Sequence, residues 1–164
     1  MDIRNEIPAH NIERFHTKAL EFSSAARSLV LSMLAAGFEV KRKPDNSFVT
    51  SVDLQVEAHL RGLIHLHFPE HGIIGEEYPP ANPEAAYQWI MDPIDGTEDF
   101  VQHLPTFGSI LALHYRGEPV VGIIDHPLLD VRVSAAFGLG AHYNGRRVTL
   151  TDLDPSAIDG TERV

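Results

Sequence analysis

Two segments near the start of the chain repeat apolar residues at three- and four-residue steps, and the remainder of the chain is mostly short apolar runs divided by turn residues. That order restricts the fold more than any single residue does. From Ile12 to about Ala36 the repeat passes through Phe15, Ala19, Phe22, Ala26, Leu29 or Val30, and Met33. This is the period of an amphipathic helix, and Gly37 is placed to end it. Thr50 or Ser51 is suited to open a second helix carrying Val52, Val56, Leu60, Leu63 or Ile64, and His67 or Phe68, which Pro69 ends. Between the two, Phe38 to Lys41 reads as a short strand, followed by the polar turn Lys43-Pro-Asp-Asn-Ser47.

The later runs read as strands. His71 to Gly75 leads straight into Glu76 and Glu77, Tyr78 to Pro83 is a surface loop, and Gln88 to Met91 is a second strand. Phe107 to Tyr115 and Pro119 to Ile124 flank Arg116-Gly117, a hairpin signal, and Val131 to Ala136 adds a strand. Asn144-Gly145 marks a further hairpin between Ala141-His-Tyr143 and Arg146 to Leu150. The expectation is an α+β fold, two long helices packed on one face of a largely antiparallel sheet. Residues 1–150 form the domain, and residues 151–164 are a polar tail.

Charge narrows the partners. Among 164 residues, 13 Lys and Arg stand against 23 Asp and Glu, a formal net charge of −10, so a nucleic-acid backbone would be repelled. A small phosphorylated metabolite is not excluded, because a divalent cation can dominate the field of an acidic site. The chain has no Cys, and its start, MDIRNEIPAH, lacks a signal-peptide pattern. No uninterrupted apolar run approaches the roughly 20 residues that span a bilayer. A soluble cytoplasmic protein with no membrane partner is expected.

The segment Trp89-Ile-Met-Asp-Pro-Ile-Asp-Gly-Thr-Glu-Asp-Phe100 delivers acids at the carboxyl end of an apolar run. Pro93 argues against an ordinary continuing strand, so Asp92 and Asp95 could turn toward one point, and Gly96 permits tight backbone geometry beside them. With Glu76, they make an all-oxygen set suited to the hard cations Mg²⁺, Mn²⁺ or Ca²⁺ rather than Zn²⁺ or copper. Two such ions sharing Asp92 would clamp a phosphoryl displacement. The competing reading of each Asp is a turn residue bonded to its own backbone. The ten His are scattered and read as surface or packing residues.

The same segment resembles the signature W-I-x-D-P-[IL]-D-G-T-x-x-F of the inositol monophosphatase superfamily. Ile73-Ile-Gly-Glu-Glu77 looks like that family's I-G-E-E element, and Lys43 to Asp53 resembles its K-x-D-x-S-x-V-T-x-x-D element, with Phe48 where Pro is common. The resemblance implies the first domain of an inositol monophosphatase-like fold and a Mg²⁺-dependent phosphatase, commonly dimeric. By it, Glu76, Asp92, Asp95 and the carbonyl of Ile94 are metal ligands for two or three ions. Glu76 and Thr97 position the attacking water, Asp53 orients Thr97 through a hydrogen bond, and Asp95 and the amides of Gly96 and Thr97 bind substrate.

Glu98 and Asp99 add negative charge beside the expected phosphate site, so they either face solvent or select a substrate carrying a cation. The string Ile124-Asp-His-Pro127 looks more like the histidinol-phosphatase branch than the inositol branch. Asp125 itself could be only a strand-end turn residue. Family members are longer and carry a W-D element whose Asp completes the metal site; none occurs here, so a missing C-terminal domain is expected. The alternative function is a non-catalytic metal-binding or dimerisation module.

Overall fold

The computed structural model describes residues 2–44 and 46–149. Helix α1 spans Ala9–Ala36 and helix α2 spans Ser51–His67. The first buries Ile12, Phe15, Ala19, Phe22, Ala26 and Val30, the stripe expected from the period, and each large apolar side chain so buried contributes about 1.5–3 kcal/mol. By length and composition α1 would also pass as a membrane span, but that stripe is taken up by the protein's own core, with Phe22 edge-on to Trp89 at 5.6 Å. The helix stops at Gly37, whose φ of 92° suits a residue without Cβ.

Helix α2 begins where Thr50 stops being extended. The Thr50 hydroxyl accepts from the amide of Val52 at 3.1 Å, and the Asp53 carboxylate accepts from the Thr50 amide at 2.9 Å, a reciprocal capping box. The strand expected over Phe38 to Lys41 lies slightly later. It is β1, Val40–Arg42, paired antiparallel with an unanticipated β2, Phe48–Thr50, in a small ribbon apart from the main sheet. Val49 and Thr50 are too short a run to announce a strand alone; the ladder to Val40 and Lys41 makes it one.

The main sheet has seven strands in sequence order: β3 Gly72–Gly75, β4 Tyr87–Asp95, β5 Gly108–Tyr115, β6 Glu118–His126, β7 Val131–Ala136, β8 Gly140–Tyr143 and β9 Arg146–Val148. All neighbours are antiparallel except β3 and β4, which run parallel with Gly75 opposite Met91. The hairpins at Arg116-Gly117 and Asn144-Gly145 form as expected. Pro93 does not end its strand: β4 continues to Asp95, with the ladder to β5 broken between Asp92 and Asp95. A bulge absorbs the missing amide of the proline. The tail expected over residues 151–164 lies outside the described residues.

One face of the sheet is covered by the helices. Trp89, Met91, Leu111, Leu113, Val121, Ile123 and Asp125 point into that layer and are buried. Asp125 is held there by Arg27 from α1, at 2.6 and 2.9 Å, and by Arg132 from β7 at 2.9 Å. On the opposite face a row of cross-strand partners runs Asp92, Ile110, Ile124, Val133, Tyr143. Ile124 and Tyr143 are each 46% exposed, so this face is open and apolar beyond Asp92.

Candidate metal and phosphate site

Parallel pairing of β3 and β4 explains why two acids from distant parts of the sequence meet. Both strands run the same way with Gly75 opposite Met91, so Glu76, the residue after β3, comes next to Asp92 within β4. Antiparallel strands would have put them at opposite ends. The Asp92 carboxyl is pushed up to about 7, first by burial and then by the charges of Glu76 and Asp95, against a hydrogen bond from the Ile94 amide at 3.1 Å. That last contact is the turn bond a lone aspartate would make, and here it coexists with the crowded carboxylates.

The turn beyond Asp92 is braced from several sides. Ser109 on β5 donates to the Pro93 carbonyl at 2.5 Å, Ile94 is buried, and Gly96 has φ 84°, ψ 47°. This left-handed geometry suits glycine and opens the single-turn helix α3, Thr97–Val101. Thr97 donates its hydroxyl to the Ile94 carbonyl at 3.1 Å. The expected contact from Asp53 to Thr97 is replaced here: Asp53 is buried in the α2 capping box, where its carboxylate also accepts from the Thr50 hydroxyl at 2.5 Å. Burial raises its pKa, and the Thr50 bonds oppose that rise.

Lys43 closes the site on its third side, with Nζ at 3.0 Å from Glu76 and 2.8 Å from Glu77. Glu77 is largely buried, which raises its pKa, while Lys43 opposes the rise. Among the described residues no three acidic or imidazole groups stand close enough to share one ion in this arrangement. The donor set nevertheless fits a hard cation: carboxylates and a carbonyl, with Asp92 raised first by burial and then by like charge that a cation would relieve. Of the two acids beyond the turn, Glu98 is exposed, and Asp99 accepts from the Thr106 hydroxyl at 2.6 Å.

Sequence reasoning passed over Lys43 as a counter-charge, Ser109 as a brace and Glu57 altogether. Glu57 on α2 is fully buried and accepts from the amides of Glu77 at 2.8 Å and Tyr78 at 3.2 Å. A signal was present. Glu57 follows Val56 on the stripe that buries Val52, Leu60 and Ile64, and it has Arg61 four residues on.

The sequence pattern of the inositol monophosphatase family matches residues 11–162. The chain belongs to the inositol monophosphatase family. The bifunctional phosphatase IMPL2 of Arabidopsis thaliana, a chloroplastic protein, is 34% identical over 161 residues, 94% of this chain and 44% of that one. The histidinol-phosphatase of Mycobacterium tuberculosis is 39% identical over 107 residues, 65% of this chain and 41% of its own length. An IMPase/NADP phosphatase solved with Mg²⁺ and phosphate superposes with a TM-score of 0.76 at 27% identity, over 84% of this chain and 53% of that one. The chain thus spans about half the length of the family members it matches. Two helices on a mostly antiparallel sheet is the part of the family's fold that this chain covers.

Proposed function

We propose that the chain hydrolyses a small phosphomonoester, of the histidinol phosphate or inositol monophosphate type, with Mg²⁺. The observation that carries this reading is the parallel register that brings Glu76, just past the end of β3, beside Asp92 on β4, next to a turn formed by Ile94, Asp95, Gly96 and Thr97. The family's phosphatases support it, as does the family structure holding Mg²⁺ and phosphate.

In this reading Glu76, Asp92, Asp95 and the Ile94 carbonyl hold two or three Mg²⁺, with Mn²⁺ equally suited to the oxygen donors. The bound cation would supply charge neutralisation and a lowered water pKa. Glu76 accepts the proton of the attacking water, whose oxygen bonds to phosphorus as the ester oxygen leaves and takes a proton from solvent. Thr97 orients that water through its hydroxyl. The amides of Gly96 and Thr97, at the start of a helical turn and lacking intrahelical partners, hold phosphate oxygens. Asp53 acts on Thr50 and the start of α2 rather than on Thr97.

On the substrate, the likeness of Ile124-Asp-His-Pro127 to the histidinol-phosphatase branch stays a likeness of sequence and gives Asp125 no place in the site. Asp125 lies on the helix-covered face, bound by Arg27 and Arg132, whereas Asp92 lies on the open face. The exposed Glu98 is the remaining acid suited to a cationic substrate group.

A second reading, a metal-binding and dimerisation module without turnover, is favoured by the open apolar face along Ile110, Ile124, Val133 and Tyr143. Phosphate release from both substrates, with Mg²⁺ and with chelator, separates the two. Mg²⁺-dependent release lost in Asp92→Asn is the expected result. Metal binding without release from either ester would hand the case to the module.

A further inference from the structure

The carboxylate of Glu57 is completely buried, and the hydrogen bonds it accepts come from two backbone amides and one guanidinium. Oε2 accepts from the Glu77 amide, and Oε1 accepts from the Tyr78 amide and from Nε of Arg61 at 2.8 Å. Arg61 in turn donates to the Tyr78 carbonyl at 2.9 Å, so the two side chains hold both sides of one stretch of backbone. That stretch is the one immediately after Glu76. A charge without water is costly to bury, and such a group is stable only where its acceptors are filled, as they are here by two amides and a guanidinium.

Gly75 shows how closely the strand is pressed onto this carboxylate. A Cβ at Gly75 would lie 2.0 Å from Oε1 of Glu57, well inside van der Waals contact. Glu76 is therefore flanked by a residue that must be glycine and by two amides fastened to Glu57. Its backbone has no freedom to relocate the carboxylate relative to Asp92 on the neighbouring strand.

We propose that Glu57 is a positioning residue for the metal site, fixing the backbone from Gly75 to Tyr78 so that Glu76 is presented beside Asp92 before any cation arrives. This rests on the metal-dependent reading of the site. Glu57 touches neither substrate nor cation; it acts through the peptide groups that follow Glu76. Partners that orient a ligand in this way commonly set metal affinity by about 10–100-fold.

The test is Mn²⁺ affinity by titration calorimetry on the whole chain and on Glu57→Gln. The amide nitrogen that replaces one carboxylate oxygen would face a donor it cannot accept. Asp125→Asn serves as a destabilised control away from the site. The expected result is Mn²⁺ binding weakened at least about tenfold in E57Q and changed less than about twofold in D125N. Equal affinity in E57Q and the unsubstituted chain would overturn the role of Glu57 alone. Failure of the unsubstituted chain to bind Mn²⁺ would overturn the metal reading, and this role with it. Hydrogen exchange needs no variant: the Glu77 and Tyr78 amides should be protected in chelator, and exchange at loop rates until Mn²⁺ is added would also overturn the proposal.

Discussion

Trp89 donates its indole N–H to Nδ1 of His71 at 3.1 Å, and that acceptor requires a neutral imidazole protonated on Nε2. The ring is stacked between Phe68 and Tyr87, each at 4.8 Å and 17°. Burial first, and the charge of Arg14 second, push its pKa down to about 4. The unfolded chain therefore binds a proton to this residue between about 6.5 and 4 that the folded chain refuses, and stability contributed by neutral His71 is lost as pH falls through that window. Urea melts at pH 7 and pH 4.5 should show a smaller difference for His71→Phe than for the unsubstituted chain. At pH 7 the variant should lose about 1–3 kcal/mol through the unpaired indole. An unchanged pH difference would refute the assignment.

The sign is reversed at Asp92. Its folded pKa of about 7 lies above the ordinary 3.8, so the folded chain keeps a proton that the unfolded chain has released. In chelator, stability contributed at this position should fall as pH rises from about 4 to about 7, and level off above. Mg²⁺ should reverse the fall. Melting temperatures of the unsubstituted chain and Asp92→Asn across this range give the comparison: the loss on raising pH should be smaller in D92N, and Mg²⁺ should stabilise D92N little. Parallel curves for the two proteins would mean that Asp92 is not protonated in the fold.

Asp125 carries a structural load. Arg27 and Arg132 converge on it from α1 and β7 while it is fully buried, so Asp125→Ala would leave two guanidiniums close together with only the exposed Asp130 and the Ser24 hydroxyl as remaining partners. Removing one partner of a buried ionic cluster typically costs about 3–5 kcal/mol. Chemical denaturation should show a loss of this size, with Mn²⁺ affinity of the folded fraction unchanged. A cost below about 1 kcal/mol would place the cluster among exposed ion pairs.

The layers of this fold are legible in the sequence because each rests on a local signal. The stripe from Phe15 to Met33 repeats long enough to specify a helix, and Arg116-Gly117 and Asn144-Gly145 each mark a hairpin between adjacent runs. β2 is not legible because its identity depends on a partner, Val40 to Arg42, and not on its own three residues. Pro93 misleads for a related reason: proline forbids one ladder bond, and the strand places its bulge there and goes on. In the candidate site, the turn that carries Asp92, Asp95 and Gly96 can be read from its spacing. The partners of Asp53 cannot, since choosing Thr50 over Thr97 is a matter of orientation that no motif encodes. Glu57 carries a weaker signal, its place beside the buried stripe with Arg61 four residues on, and its amide partners are what give that place a purpose.

The parallel strand β3 lies at the edge of the sheet and meets β4 over only four residue pairs. Sliding it by one residue would move Glu76 about 3.3 Å and turn its side chain to the other face. Ile73 and Ala81 exchange backbone hydrogen bonds at 2.8 and 2.9 Å, closing the loop between them back onto the same strand. The loop thus works as a ratchet pawl on the edge strand. Anyone inserting a tag or a reporter into this protein should keep the spacing from Ile73 to Ala81 intact, because an added residue there shifts the register of the site, whereas the turn at Arg116-Gly117 joins two strands held by seven residue pairs, with a bulge at Leu113 and His114 already taken up between them.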